Sequence, residues 1–388
     1  MVELVSTKRI KLEKLKRAIA KARISNPVDA AVAGTLPTIT TAFDATLATF
    51  FQPQDSVAGT VPAFNLLGGN ALDFGLVATG VHGYQVSATQ SNTGAVSNQL
   101  VLEFDSDAPK IMVRGAQGTW RVEVNGQFLS KTGNATAAGG GEQQLVLDWS
   151  GVRSLRSYRF HPVSGGWFSR VGVDALSRVS RPRKERVRAV FAGDSYTSGT
   201  GATYGDSDWA SIAAYLLGID DPWHSALTGT GFLNPGTTWT ARSHVSDITG
   251  ASPDLVVIAY GTNDTGLSGI QAEVLLYLQT IRASLANVPI VVLGPWPKAT
   301  GPSAAILTVE SAVSAAVTQF NDPLCAFVPV SADTVGSWVF GTGFVGATNG
   351  SGNSDVYIDT DGIHPSNAGH EFLGRRAAAG IATALMAM

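Results

Sequence analysis

The rhythm of apolar and polar positions changes three times along the chain. Leu12, Leu15, Ile19 and Ala22 recur at helical spacing, which predicts a short amphipathic helix near the N-terminus. Residues 26–41 are rich in Pro, Ala, Gly and Thr, carry neither a helical nor a strand period, and read as a linker. From about Phe43 to Val179, short alternating runs are separated by Gly, Asn, Asp and Ser clusters. Examples are residues 81–86, 98–104, 110–114, 120–124, 144–149 and 157–160, and Asn125-Gly126 after the fourth is a strong tight-turn signal. Residues 137–141 form a glycine-rich loop, and no repeat of fixed period is visible. Many short strands at this spacing predict an antiparallel β-sandwich of jelly-roll type.

From Val187 the pattern changes again. Near-continuous apolar runs at 187–191, 254–260, 288–293 and 325–330 alternate with helical stretches at 208–217, 270–286, 302–320 and 365–388, the last with a proline in its first turn. Such runs between helices imply an α/β domain with a parallel sheet covered on both faces. The expected organisation is therefore a helix and linker over 1–40, a β-sandwich over 41–182 and an α/β domain over 183–388. A basic stretch, 178–188, joins the last two and reads as a solvated linker.

Composition narrows the function classes. With 44% hydrophobic and 15% charged residues the chain is globular, and its net charge of -3 argues against a nucleic-acid-binding surface. Cys325 is the sole cysteine, so no intramolecular disulfide exists. No apolar run reaches the ~18 residues of a membrane span. Between residues 1 and 25, eight Lys and Arg stand against Glu3 and Glu13, where a secretory signal would need its apolar core. We therefore expect no signal peptide, with a cytoplasmic location or release by lysis or as part of a particle. The N-terminal helix has two readings, a solvated terminal helix or one that docks, oligomerises or anchors the chain.

The candidate chemistry lies where strands end. The strand 187–191 stops at Gly193-Asp194-Ser195, presenting Ser195 at the carboxyl edge of the sheet, where open α/β sheets place their sites. Gly261-Thr-Asn-Asp264 follows the second strand, and Asp361-Gly-Ile-His364 precedes the last helix. A serine hydroxyl needs a base and an oxyanion hole. His364 is the candidate base, since imidazole titrates near neutrality, and Asp361 lies close enough on a tight turn to hold its tautomer. Asn263 offers an amide to a developing oxyanion, and the backbone N–H groups of Ser195 and Gly229 complete the hole. Gly229 lies in a glycine loop, Thr228-Gly-Thr-Gly-Phe232, and Gly231 is the alternative donor. No His/Cys/Asp cluster has metal-ligand spacing, so neither metal nor cofactor is expected.

These four blocks, in this order, resemble the SGNH/GDSL hydrolase family over about residues 187–388. The resemblance implies a flavodoxin-like three-layer α/β/α fold and a metal-independent serine esterase. It makes Ser195 the nucleophile, His364 the base, Asp361 its orienting acid and Asn263 an oxyanion donor. Tyr196 stands where the family name has leucine. A β-sandwich ahead of such a domain is similar to the arrangement in two-domain carbohydrate acetyl esterases. The expected substrate is thus an acetyl or short acyl ester on a glycan, in the setting of a phage tail or otherwise. A non-catalytic tail module and a lipase or thioesterase are the alternatives. Trp296, Trp338 and Phe344 are candidate substrate contacts, the last two in a long loop, 332–357, expected to wall the cleft. The other reading is a surface loop that folds its aromatics against the β domain. Trp120, Trp149 and Trp167 either pack the sandwich core or bind glycan.

Overall fold

The computed structural model describes residues 2–22, 36–52, 63–69, 71–78, 81–86, 101–130, 132–162, 166–236, 239–299 and 301–388. It divides into two units. One holds the N-terminal helix and Arg186–Met388, and the other holds the described residues between them.

The β unit contains fourteen strands among the described residues. In chain order they are β1 (Thr38–Thr40), β2 (Thr49–Phe51), β3 (Asn65–Leu67), β4 (Ala71–Ala78), β5 (Val81–Val86), β6 (Val101–Ser106), β7 (Lys110–Gly115), β8 (Thr119–Val124), β9 (Gln127–Phe128), β10 (Asn134–Ala135), β11 (Gln143–Asp148), β12 (Arg156–Pro162), β13 (Phe168–Val173) and β14 (Val179–Ser180). They form two antiparallel sheets, β1-β11-β7-β13-β5-β4 with β2 on β13, and β10-β8-β12-β6-β14 with β3 and β9 attached. The sheets face each other through buried rings. Trp120 of β8 meets Phe168 of β13 edge-on at 5.0 Å, and Trp149 donates its indole N–H to Tyr158 Oη at 2.9 Å. Trp120 and Trp149 are therefore core residues, while Trp167 is half-buried. The turn at Asn125-Gly126 places both residues at positive φ (51° and 81°), joining β8 to β9.

Two expectations need correction here. Part of the linker is a strand, since β1 pairs with β11; residues 26–35 and 98–100 lie outside the described residues. The basic stretch is not simply solvated. Arg181 donates to the Phe64 carbonyl at 2.7 Å, Lys184 pairs with Glu103 at 3.2 Å, and Arg188 pairs with Asp221 at 2.7 Å.

The second unit begins with α1 (Val2–Lys21). It continues with β15 (Arg188–Gly193), α2 (Trp209–Leu216), β16 (Asp221–Ala226), α3 (Val245–Gly250), β17 (Leu255–Ala259), α4 (Ile270–Ser284), β18 (Ile290–Leu293), α5 (Ala304–Phe320), β19 (Cys325–Val328), α6 (Ser354–Tyr357) and α7 (Asn367–Ala387). The five strands run parallel in the order β16-β15-β17-β18-β19. Alternate side chains of β15 enter opposite layers, Ala189 and Phe191 with α1, α2 and α7, and Val190 and Ala192 with α3, α4 and α5. This is a three-layer α/β/α sandwich with flavodoxin-like strand order.

One strand of this unit was missed in the sequence. β16 reads Asp-Pro-Trp-His-Ser-Ala, without a continuous apolar run, because it is an edge strand where proline is tolerated. The last helix also starts later than expected. Pro365 precedes the N-cap Ser366, whose Oγ accepts the Gly369 N–H at 3.1 Å. At the other end, α1 buries Leu12 and Leu15 in the core layer of α2 and α7. Lys14 bonds Asp254 at 2.7 Å, and Lys11 reaches the Pro253 carbonyl at 2.7 Å. The apolar stripe is thus spent on the α/β unit of its own chain.

Candidate active site

In this strand order the crevice lies at the carboxyl ends of β15 and β17, where the chain switches direction across the sheet. β15 ends at Gly193, and no other residue fits there. A Cβ would lie 2.0 Å from Thr197 Oγ1 and 2.9 Å from the Ala259 carbonyl. The chain then winds into a tight turn. The Asp194 carbonyl accepts from Thr197 N at 3.1 Å and Ser198 N at 2.9 Å, and the Asp194 carboxylate accepts from Tyr196 N at 3.0 Å. Ser195 is left at the turn with its N–H bonded to no group among the described residues.

His364 reaches it from the turn before α7. His364 Nε2 is 2.8 Å from Ser195 Oγ, and Nδ1 is 2.5 Å from Asp361 Oδ2. The other Asp361 oxygen accepts the backbone N–H groups of Ile363 (2.8 Å) and His364 (2.9 Å), so one carboxylate shapes the turn and holds the ring. Burial pushes the Asp361 carboxyl upward. The bonds from the His364 ring and the two N–H groups outweigh it and hold the acid below the usual carboxylate range. An ionised Asp361 fixes a proton on Nδ1 and leaves Nε2 as the acceptor facing Ser195.

The oxyanion side is built on the two strands flanking β15. Asn263 lies on a short 3₁₀ turn after β17, and its Nδ2 donates to the Thr230 carbonyl at 3.0 Å, with Asp194 Oδ2 at 3.4 Å. Thr230 belongs to the glycine loop after β16. Of the two candidate glycines, Gly231 spends its N–H on the Asn234 carbonyl at 2.8 Å. Gly229, at φ 78°, has an N–H bonded to no group among the described residues, which makes it the free donor of the two. Side-chain bonds hold the loop. The Asp264 carboxylate, fully buried, accepts the N–H groups of Phe232, Leu233 and Asn234 at 2.7, 2.9 and 2.9 Å. Asn234 returns a bond to the Asn263 carbonyl at 2.8 Å. Sequence reasoning passed over Asp264, although its place after Asn263 was visible; a carboxylate beside a glycine loop is the signal. Asp194 is also fully buried. Burial, with the Asp264 charge nearby, pushes its carboxyl up to about 7, against the Tyr196 N–H bond and the Lys298 charge.

The expected aromatic contacts fare differently. Trp296 is wholly buried, stacked on Tyr196, and its backbone exchanges bonds with the Thr262 hydroxyl. Trp338 is 3% exposed and donates its indole N–H to Asp333 at 2.8 Å. Neither has a face for a substrate, because both fill the layer between the sheet and α7. Phe344 is half-buried under the catalytic turn, where a Cβ on Gly362 would meet its ring at 3.5 Å. Among the described residues, no group of three His, Cys, Asp or Glu could hold a metal ion, and no helix is long and apolar enough to cross a membrane.

A serine, a histidine and an aspartate in hydrogen-bonded series form the constellation of acyl transfer through a serine. Residues 191–372 match the model of the GDSL-like lipase/acylhydrolase family. The C-terminal region resembles the GDSL-like lipase/acylhydrolase family over this span. Solved structures similar to the chain share its fold beyond this domain. A salicylyl-acyltransferase, SsfX3, from a tetracycline biosynthetic pathway has 16% identity and a TM-score of 0.62, covering 88% of this chain and 98% of that one. A family two carbohydrate esterase from Cellvibrio japonicus has 12% identity and a TM-score of 0.60, covering 90% and 99%. An acetyl xylan esterase, Est2A, from Butyrivibrio proteoclasticus has 13% identity and a TM-score of 0.56, covering 88% and 100%. Among curated proteins, no sequence matches. At these identities the likeness is one of fold, and it embraces both the β unit and the α/β unit.

Proposed function

We propose that the protein is a serine esterase that removes acetyl or similarly short acyl groups from a glycan, without a metal. The observation that carries the reading is the series Ser195 Oγ, His364 Nε2, His364 Nδ1 and Asp361 Oδ2, joined at 2.8 and 2.5 Å. His364 takes the Ser195 proton as Oγ attacks the ester carbonyl. The oxygen that gains charge is received by Ser195 N–H and Gly229 N–H, with Asn263 Nδ2 giving up its long 3.4 Å contact to Asp194 Oδ2 to join them. Collapse of the tetrahedral species expels the sugar hydroxyl, protonated by His364, and leaves an acyl serine. Water then repeats the sequence. The glycan and the short acyl group are supported by the two carbohydrate esterases, whose full length this chain's fold matches.

The test is turnover of p-nitrophenyl acetate, butyrate and laurate, and of acetylated xylan, with and without a chelator. We expect the acetyl ester and acetylated glycan to be preferred and the chelator to have no effect. Ser195→Ala should lower kcat by at least about 10³-fold with the fold intact. Preference for laurate would move the reading to a lipase. Near wild-type turnover by Ser195→Ala would remove the nucleophile.

A further inference from the structure

The bond between His364 and Ser195 exists only while the serine carries its proton. Once Ser195 is acylated, its Oγ is an ester oxygen and that tie is lost, yet His364 must stay in place to activate water. Asp361 cannot supply the anchor, because it belongs to the same turn as His364 and moves with it.

The residue after the nucleophile offers an anchor. Tyr196 is 1% exposed, and its hydroxyl donates to the Ile363 carbonyl, with the Pro297 carbonyl at 3.4 Å. Ile363 directly precedes His364. The Tyr196 ring lies nearly parallel to Trp296 (centroids 6.1 Å apart, 10° between planes) and 5.7 Å from the His364 ring. The chain therefore closes a ring of contacts, from Ser195 to Tyr196 by the backbone, to Ile363 by the hydroxyl, to His364 by the backbone, and back to Ser195. Other bonds hold the turn elsewhere, such as Ala299 N–H to the Gly362 carbonyl at 3.2 Å. Among the described residues, Tyr196 is the one whose side chain bonds the turn from beside the nucleophile. A leucine, found at this place in the family signature, has no donor to give.

We propose that Tyr196 is a positioning residue that holds the Asp361–His364 turn in register with Ser195 through the acyl-enzyme stage. The inference rests on the serine esterase reading. In the step concerned, His364 Nε2 takes a proton from water as the water oxygen bonds to the acyl carbon. The bond from that carbon to Ser195 Oγ then breaks, Oγ recovers the proton from His364, and the carboxylic acid leaves. Burial, with the charges of Asp194 and Asp361, raises the Tyr196 phenol well above its ordinary value, so it remains a donor throughout.

The experiment is pre-steady-state hydrolysis of p-nitrophenyl acetate by the full chain and by Tyr196→Phe, which keeps the ring. The burst reads acylation and the following linear phase reads deacylation. We expect the linear phase to slow about tenfold or more, the burst rate to change by less than about threefold, and KM to fall with kcat. Unchanged rates, an equal loss in both phases, or loss of the native fold in the variant would each overturn the proposal. A wild-type protein with neither burst nor turnover would instead sink the esterase reading, and this inference with it.

Discussion

A Cβ on Gly231 would lie 2.4 Å from Asp264 Oδ1, so the carboxylate of one residue fills the space that a side chain on the other would need. The carboxylate cannot step aside, because three backbone N–H groups of the following residues bind it. The glycine loop, and the Gly229 N–H that it carries, are positioned by this contact.

Gly231→Ala should therefore displace the loop from Asp264 rather than pack beside it. Overpacking of this kind costs ~1–3 kcal/mol. Loss of one oxyanion donor costs about 10²–10³ in kcat in other hydrolases. We expect a moderate fall in thermal midpoint together with a fall in kcat toward that range, KM changing little. Wild-type kcat in a folded Gly231→Ala protein would show that the loop does not supply the oxyanion donor.

The positions of Ser195, Asn263, Asp361 and His364 were legible because each follows a strand end or precedes a helix, and those boundaries show in the apolar runs. β17 and β18 could be read directly, since a strand buried on both faces is apolar at every position. β16 could not. It lies at the sheet edge beside β15, and Pro222, His224 and Ser225 break its pattern. The aromatic residues were illegible for another reason. A tryptophan in a loop after a strand has the same local sequence whether it faces solvent or folds inward. Only the partners decide, here Tyr196 for Trp296 and Asp333 for Trp338. The loop 332–357 was long enough to suggest a function. Much of it is held by its own contacts, with Asp355 accepting the Asn349 and Gly350 N–H groups.

Asp194 gives the fold a pH dependence. Its carboxyl titrates at about 7 in the fold, against an ordinary value of 3.8. The folded chain thus keeps a proton that the unfolded chain releases. Its contribution to stability is fully present below pH 3.8, declines as pH rises, and is lost above about 7. The decline has a slope on the order of 1.4 kcal/mol per pH unit. Asp194→Asn keeps an oxygen for the Tyr196 N–H and removes the titration. The variant should match wild type in thermal midpoint near pH 4 and exceed it increasingly up to pH 7, with a constant gap beyond. A gap that does not change with pH would mean that Asp194 ionises as an ordinary aspartate.

The N-terminal helix separates two roles by measurement. Leu15 is 1% exposed and lies in the core layer with residues of α2 and α7, and Lys14 on the same helix bonds Asp254. A helix kept for assembly would present this face to another chain. One that completes the α/β unit would bury it within the chain, as seen here. Leu15→Ala removes three buried carbons and should cost ~2–5 kcal/mol. We expect a lower thermal midpoint and a lower denaturant midpoint, at unchanged sedimentation behaviour. KM for p-nitrophenyl acetate should be unchanged below the transition, since the helix contacts neither Ser195 nor His364 among the bonds that hold the site. Dissociation of an oligomer by Leu15→Ala, with the stability of the monomer unaltered, would instead return the helix to an assembly role.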